Sequence, residues 1–210
     1  MKWRERLARA RGTSVTLDLR PYEQALEAIN ALAVESAALS DLEIDARARE
    51  LRQRVLAGAP LGDVRLTFFA LAREAACRAL GVRPFDVQIT AALAMDQGAV
   101  VEMQTGEGKT LAAVMPAGLH ALAGQGVHVL TVNDYLARRD AEWMRPVYAR
   151  LGVEVGFVEQ GMSPAARRRA YLADVTYVTA KEAGFDHLRD LLATRVEDLV
   201  HRPFHFALVD

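Results

Sequence analysis

Lys109 and Thr110 sit at the end of the run Glu102-Met103-Gln104-Thr105-Gly106-Glu107-Gly108-Lys109-Thr110, and an apolar, helix-like run follows at 111–122. These residue types in this order fit one chemistry, the binding of a polyphosphate. Glycines let backbone N–H groups turn inward around anionic oxygens. A helix N-terminus adds unpaired donors and a partial positive charge. A lysine at this place reaches the β- and γ-phosphates, and the hydroxyl after it holds Mg²⁺. The strict pattern G-x-x-x-x-G-K-S/T asks for glycine at 103, where this chain has Met103. The ending T-G-x-G-K-T is the form used by helicase-like motor ATPases. A glycine-rich strand–helix turn with no ligand is the plain alternative.

Such a loop needs a strand before it and a helix after it. β-branched and apolar runs at 99–103, 127–132, 153–158, 175–178 and 204–209 alternate with helical patterns. That alternation predicts an α/β fold with a parallel sheet covered on both faces. Residues 1–80 read as helical instead. Tyr22, Leu26, Ile29 and Ala33 recur at helical spacing after Pro21. Ser40 and Glu43 form a capping-box signature. Leu51 and Val55 continue that helix to Gly58, and another helix runs from 64 to 80 with Gly81 as its stop. The expected organisation is an N-terminal helical region over 1–80 and a partial P-loop domain over 81–210. Asp210 closes the last strand, where an acidic residue helps hold Mg²⁺. No helical pattern follows that strand, so the expectation is a fragment that turns over ATP little by itself.

Composition sets the outer limits. The 210 residues are 51% apolar and 25% charged, with a formal net charge of −1. Near-neutral charge removes the basic field of a nucleic-acid protein. Cys77 is the single cysteine, which excludes an internal disulfide; it reads as a small buried hydrophobe. No apolar run approaches the ~18–20 residues of a membrane span. The basic N-terminus lacks the apolar stretch of a secretory signal. The expected location is the cytoplasm.

The chain resembles the N-terminal part of the SecA family, ATP-driven motors of bacterial protein export, over essentially its whole length. The residues that carry the resemblance are Arg83-Pro84-Phe85-Asp86-Val87-Gln88, the loop at 102–110, Val132-Asn133-Asp134-Tyr135-Leu136, Gly184-Phe185-Asp186-His187-Leu188-Arg189-Asp190, and His205-Phe206-Ala207-Leu208-Val209-Asp210. The resemblance implies a RecA-like domain binding ATP and Mg²⁺. Phe85 and Gln88 would belong to an adenine-reading element, with the Gln88 amide on the base edge. Thr105, Gly106, Glu107, Gly108, Lys109 and Thr110 would form the phosphate loop, and Arg139 would lie close to the nucleotide. Lys109 and Asp210 would be the catalytic groups, and Thr110 and Asp210 the Mg²⁺ ligands. Implied partners are the SecY channel complex, unfolded preproteins, anionic membrane lipids and a second copy in a homodimer, with no nucleic acid. The implied place is the inner face of the cell membrane. Gln104 stands where the family usually has lysine or arginine, and Val178-Thr179-Ala180-Lys181-Glu182-Ala183 replaces a run that usually reads Gly-Thr-Asn-Asn-Glu-Phe/Tyr.

Other features have plainer readings. Residues 1–11 carry five basic side chains with Trp3 and Leu7 one turn apart, suited to a helix lying on anionic lipid. Arg167-Arg168-Arg169 reads as a solvated helix face. His201 and His205 have a metal-ligand spacing, but Pro203 between them breaks the helix such a site needs. Three readings stand: a protein-translocation motor, a helicase-like ATPase driven by nucleic acid, and a nucleotide-binding chain without turnover.

Overall fold

The computed structural model describes residues 19–210, so the basic segment at 1–11 lies outside the described residues. Helices α1 (Arg20–Ala38), α2 (Asp41–Leu56), α3 (Leu61–Leu80), α4 (Asp86–Asp96) and α5 (Lys109–Ala121) come first. Then follow β1 (Val127–Thr131), α6 (Asp134–Arg150), β2 (Val155–Phe157), α7 (Pro164–Leu172), β3 (Val175–Thr179) and α8 (Ala180–Leu191). A single 3-10 turn at Val196–Asp198 leads to β4 (Phe206–Val209).

Local chemistry accounts for the helix ends. Pro21 lies in the first turn of α1, where its fixed φ suits the helix and its missing N–H costs nothing. The Ser40 hydroxyl accepts from Glu43 N–H at 3.3 Å, and Ser40 N–H donates to the Glu43 carboxylate at 2.7 Å, so α2 starts on a complete capping box. Asn133, Ser163 and Thr179 cap α6, α7 and α8 in the same manner, each accepting a backbone N–H from the first turn.

The four strands form one parallel sheet in the order β2-β3-β1-β4. The pleat sends alternate residues to opposite faces. On one face Val129, Tyr177 and Leu208 join a core shared with α1 to α6; on the other, Leu130 and Val178 meet Tyr171 of α7 and Val200. The larger core runs without a break from Ile29 in α1 to Leu208 in β4. Its centre is α3, whose Phe68 and Phe69 are fully buried. α3 crosses α5 at Gly118, where an added Cβ would lie 2.8 Å from the Phe68 ring. That close approach fixes the helix carrying Lys109 against the core.

Two expectations fail. Residues 99–103 form no strand. Their composition suits one, but a strand needs a ladder partner, and a cavity separates these residues from the edge strand β4; Val100 is fully exposed. Arg167 is not on a solvated face. It is 6% exposed and ion-paired to Glu182 at 2.6 Å and to Asp186 at 2.7 Å, both on α8. Tyr171 also donates to Asp186, at 2.9 Å, and Arg189 pairs with its other oxygen at 2.6 Å. α8 therefore buries Glu182 and Asp186 and shows water Phe185, Leu188 and Leu191, followed by the exposed Leu192 that caps it.

Candidate functional site

The segment at 104–108 turns sharply into α5. Gly106 and Gly108 both have positive φ, +89° and +80°, a region closed to most side chains. Gly108 is bound twice over, because a Cβ there would also lie 2.3 Å from Gln88 Nε2. Its carbonyl accepts from the N–H groups of Leu111 and Ala112 at 3.0 Å, so the helix begins at once. Lys109 and Thr110 thus occupy the first turn, where backbone donors lack helical partners and the dipole is positive. Lys109 is exposed and Thr110 half-buried.

Side chains hold the turn from both sides. Gln88, on α4, is 5% exposed; its Oε1 accepts from Phe85 N–H at 2.9 Å and its Nε2 donates to the Glu107 carbonyl at 2.7 Å. The Glu107 carboxylate accepts from Gln104 N–H at 3.0 Å, while Glu107 N–H donates to the Gln104 carbonyl at 3.2 Å. Thr105 and the Glu107 side chain face water.

Beside the turn lies a cavity of about 310 Å³ between residues 98–103 and β4. Lys109, Thr110, Thr131, Asp140, Tyr177 and Asp210 supply its charged and hydroxyl groups, against apolar walls that include Met103 and Val129. Asp210 stands at the carboxyl end of β4, its N–H bonded to the Leu130 carbonyl at 3.0 Å. Asp140, on α6, is paired with its neighbour Arg139 at 2.7 Å. The buried Tyr177 hydroxyl, whose ring also lines the cavity, is kept protonated far above the ordinary tyrosine range by burial and by the Asp140 charge.

Thus Lys109, Thr110 and Asp210, 101 residues apart at the extremes, face one space. Gln88 reaches the turn through the Glu107 carbonyl. Phe85 shows an exposed ring, and Arg139 lies outside the cavity lining, tied to Asp140. A cation, a hydroxyl and a carboxylate on one cavity, beside a positive-φ glycine turn at a helix N-terminus, fit a Mg²⁺–polyphosphate. Two participants carried no sequence signal of their own: Asp140, hidden in an ordinary helical charge pattern, and the carboxylate of Glu107 folding back on its own loop.

The histidines do not gather around a metal. His201 donates or accepts through Nδ1 with Asp190 at 2.8 Å, and no helix joins it to His205. His128 lies buried among the rings of Tyr171, His201 and Phe204. Cys77 is half-buried rather than enclosed. Among the described residues no helix is long and apolar enough to cross a membrane.

Residues 7–210 match the family described as the SecA DEAD-like domain. The chain is 50% identical over 192 residues to the Protein translocase subunit SecA of Rubrobacter xylanophilus, covering 91% of this chain and 21% of that protein. It is 48% identical over 204 residues to the protein of the same name from Coxiella burnetii, covering 97% of this chain and 22% of that one. A solved structure described as a hypothetical ATP-dependent RNA helicase from Sulfolobus tokodaii is similar more loosely. Its TM-score is 0.44 and its identity 22%, over 66% of this chain and 49% of that chain. The chain spans about a fifth of the length of the translocase subunits it matches.

Proposed function

The chain belongs to the SecA DEAD-like family, and on that premise we propose that it is the ATP-binding part of a motor that couples ATP hydrolysis to protein translocation through the SecY channel. One observation carries the reading: Lys109 and Thr110, with which the glycine turn opens α5, line a cavity together with Asp210.

The phosphates lie at the N-terminus of α5, against backbone donors between Thr105 and Thr110. Lys109 places a positive charge on the β- and γ-phosphates, a charge-assisted contact strengthened by its place beside the apolar wall of the cavity. Thr110 Oγ1 and Asp210 hold Mg²⁺, which when bound neutralises charge on the phosphate oxygens. Arg139, steered by Asp140, adds a second cation at the rim. The Gln88 amide keeps one lone pair and one N–H beyond the two bonds it makes, and these read the adenine edge while the exposed Phe85 ring stacks on the base. In the intact protein the cargo is unfolded preprotein. The motor works from the cytoplasm on the inner face of the membrane, aided by anionic lipids at residues 1–11, and as a homodimer.

Calorimetric titration with ATP–Mg²⁺ tests the site. Lys109→Ala is expected to lose about 1.5–3 kcal/mol of binding, and unchanged affinity overturns the assignment. Phosphate release by the intact protein tests the motor: stimulation by SecY-containing vesicles with a preprotein is expected, and stimulation by nucleic acid instead overturns it.

A further inference from the structure

Arg73 is a buried cation on α3, and all three of its guanidinium nitrogens are engaged. We infer that Arg73 is a positioning residue for the glycine turn: through two peptide planes and the Gln88 amide it aims the Gly108 N–H, so the N-terminal helices set the geometry of the nucleotide site. That role presupposes the nucleotide reading of the same turn and adds what holds the turn in register.

The route is continuous. Arg73 Nε donates to the Pro84 carbonyl at 3.0 Å, Nη1 to Asn30 Oδ1 on α1, and Nη2 to Asp86 at 2.9 Å. Asn30 Nδ2 reaches the second Asp86 oxygen at 3.4 Å. One guanidinium thus ties α1 and α3 to the entry of α4. The Pro84 carbonyl and the Phe85 N–H belong to one planar trans peptide unit and point opposite ways. Holding the carbonyl therefore aims the N–H, which donates to Gln88 Oε1 at 2.9 Å. Gln88 Nε2 then donates to the Glu107 carbonyl at 2.7 Å. That carbonyl shares its peptide unit with the Gly108 N–H, which by the same planarity points away from Gln88. Gln88 Nε2 lies 2.3 Å from where a Cβ on Gly108 would stand, so the amide packs on the turn itself. A charged donor at the head of such a chain polarises the bonds after it. Arg73 does not line the cavity, so its effect on a ligand passes through these bonds. Arg52 is a matched comparison. Its guanidinium also holds a carbonyl and a carboxylate, Gly152 at 3.1 Å and Asp174 at 2.7 and 2.9 Å, but these precede β2 and β3, at the end of the sheet opposite Asp210.

ATP–Mg²⁺ is titrated into the purified chain and its variants, with affinity taken per folded molecule. Arg73→Met is expected to weaken binding about tenfold, within the range of Gln88→Ala. The double variant is expected to bind no more weakly than Gln88→Ala alone, because both changes cut one route. Arg52→Met is expected to stay within about twofold of wild type, being distant and without a shared partner. Where Arg73→Met does not fold, Arg73→Lys, which keeps the charge and loses the fork, takes its place in the cycle with a loss of about threefold. Three results overturn the inference while the nucleotide site stands: wild-type affinity in the Arg73 variant, losses that multiply in the double variant, or an equal loss in Arg52→Met. If wild type does not bind ATP–Mg²⁺, or Gln88→Ala binds it unchanged, the reading of the site fails and this inference fails with it.

Discussion

Two regions of this molecule gather charged side chains, and they do so in opposite surroundings. At the start of α5, Lys109 and Glu107 face water and touch mainly the chain's own backbone or nothing charged. Beneath α8, Arg167, Glu182 and Asp186 are each less than 10% exposed and pair only with one another and with close neighbours. The first arrangement leaves charge available to a ligand. The second satisfies every charge internally and leaves none to offer. Exposed polar contacts contribute little to stability, whereas a buried ion network resists the loss of any one member. Charge density alone therefore does not mark a binding site; solvent access to the charge does.

The contrast breaks most sharply at Arg167. Arg167→Ala strands two buried carboxylates and is expected to cost about 3–5 kcal/mol of folding stability, read as a fall in the urea midpoint with ATP affinity per folded molecule unchanged. A loss below 1 kcal/mol would mean that water reaches Glu182 and Asp186 and that the network is not closed.

His128 extends the same region toward β1. Burial, with His201 and the Arg202 guanidinium close by, pushes its pKa down to about 4. The unfolded chain takes up a proton near pH 6.5 that the folded chain refuses. Stability is therefore complete above pH 6.5 and declines as pH falls toward 4, by up to about 3 kcal/mol. Urea midpoints from pH 7 to 4.5 should fall for wild type and stay flatter for His128→Leu. Equal slopes would place the proton uptake on another group.

Gln88 sharpens the comparison from the loop side. Gln88→Ala removes two neutral bonds and is expected to lower stability by only about 1 kcal/mol, while ATP weakens by roughly 1–3 kcal/mol and inorganic triphosphate by less. Equal losses for the two ligands would confine Gln88 to a structural role.

Much of the loop side was legible in the sequence. The glycine turn and the helix start at Lys109 and Thr110 announce themselves by type and spacing, because such a turn is a local device. Ser40 with Glu43 and the apolar periodicity of α1 are local in the same sense. What failed was non-local. Residues 99–103 have the composition of a strand, but composition says nothing about whether a ladder partner is present. Arg167 looked solvated because its partners lie 15 and 19 residues downstream. A faint signal did exist: Glu182 and Asp186 are one helical turn apart, and so are Arg167 and Tyr171, so each pair shares a helix face. α8 thereby inverts the ordinary amphipathic pattern, with Phe185 and Leu188 turned outward and Glu182 and Asp186 inward.

That inversion has a consequence for how the chain behaves in bulk. α8 and its C-cap turn hydrocarbon toward water over Phe185, Leu188, Leu191 and Leu192, with Leu192 83% exposed. With a formal net charge of only −1, electrostatic repulsion between molecules is weak, and short-range attraction between such faces sets the colloidal limit. Sulfate or phosphate buffers, which strengthen apolar association, push the chain toward precipitation, and a mild chaotrope holds it in solution. The helix that closes the buried ion network is thus also one that limits how far the molecule can be concentrated.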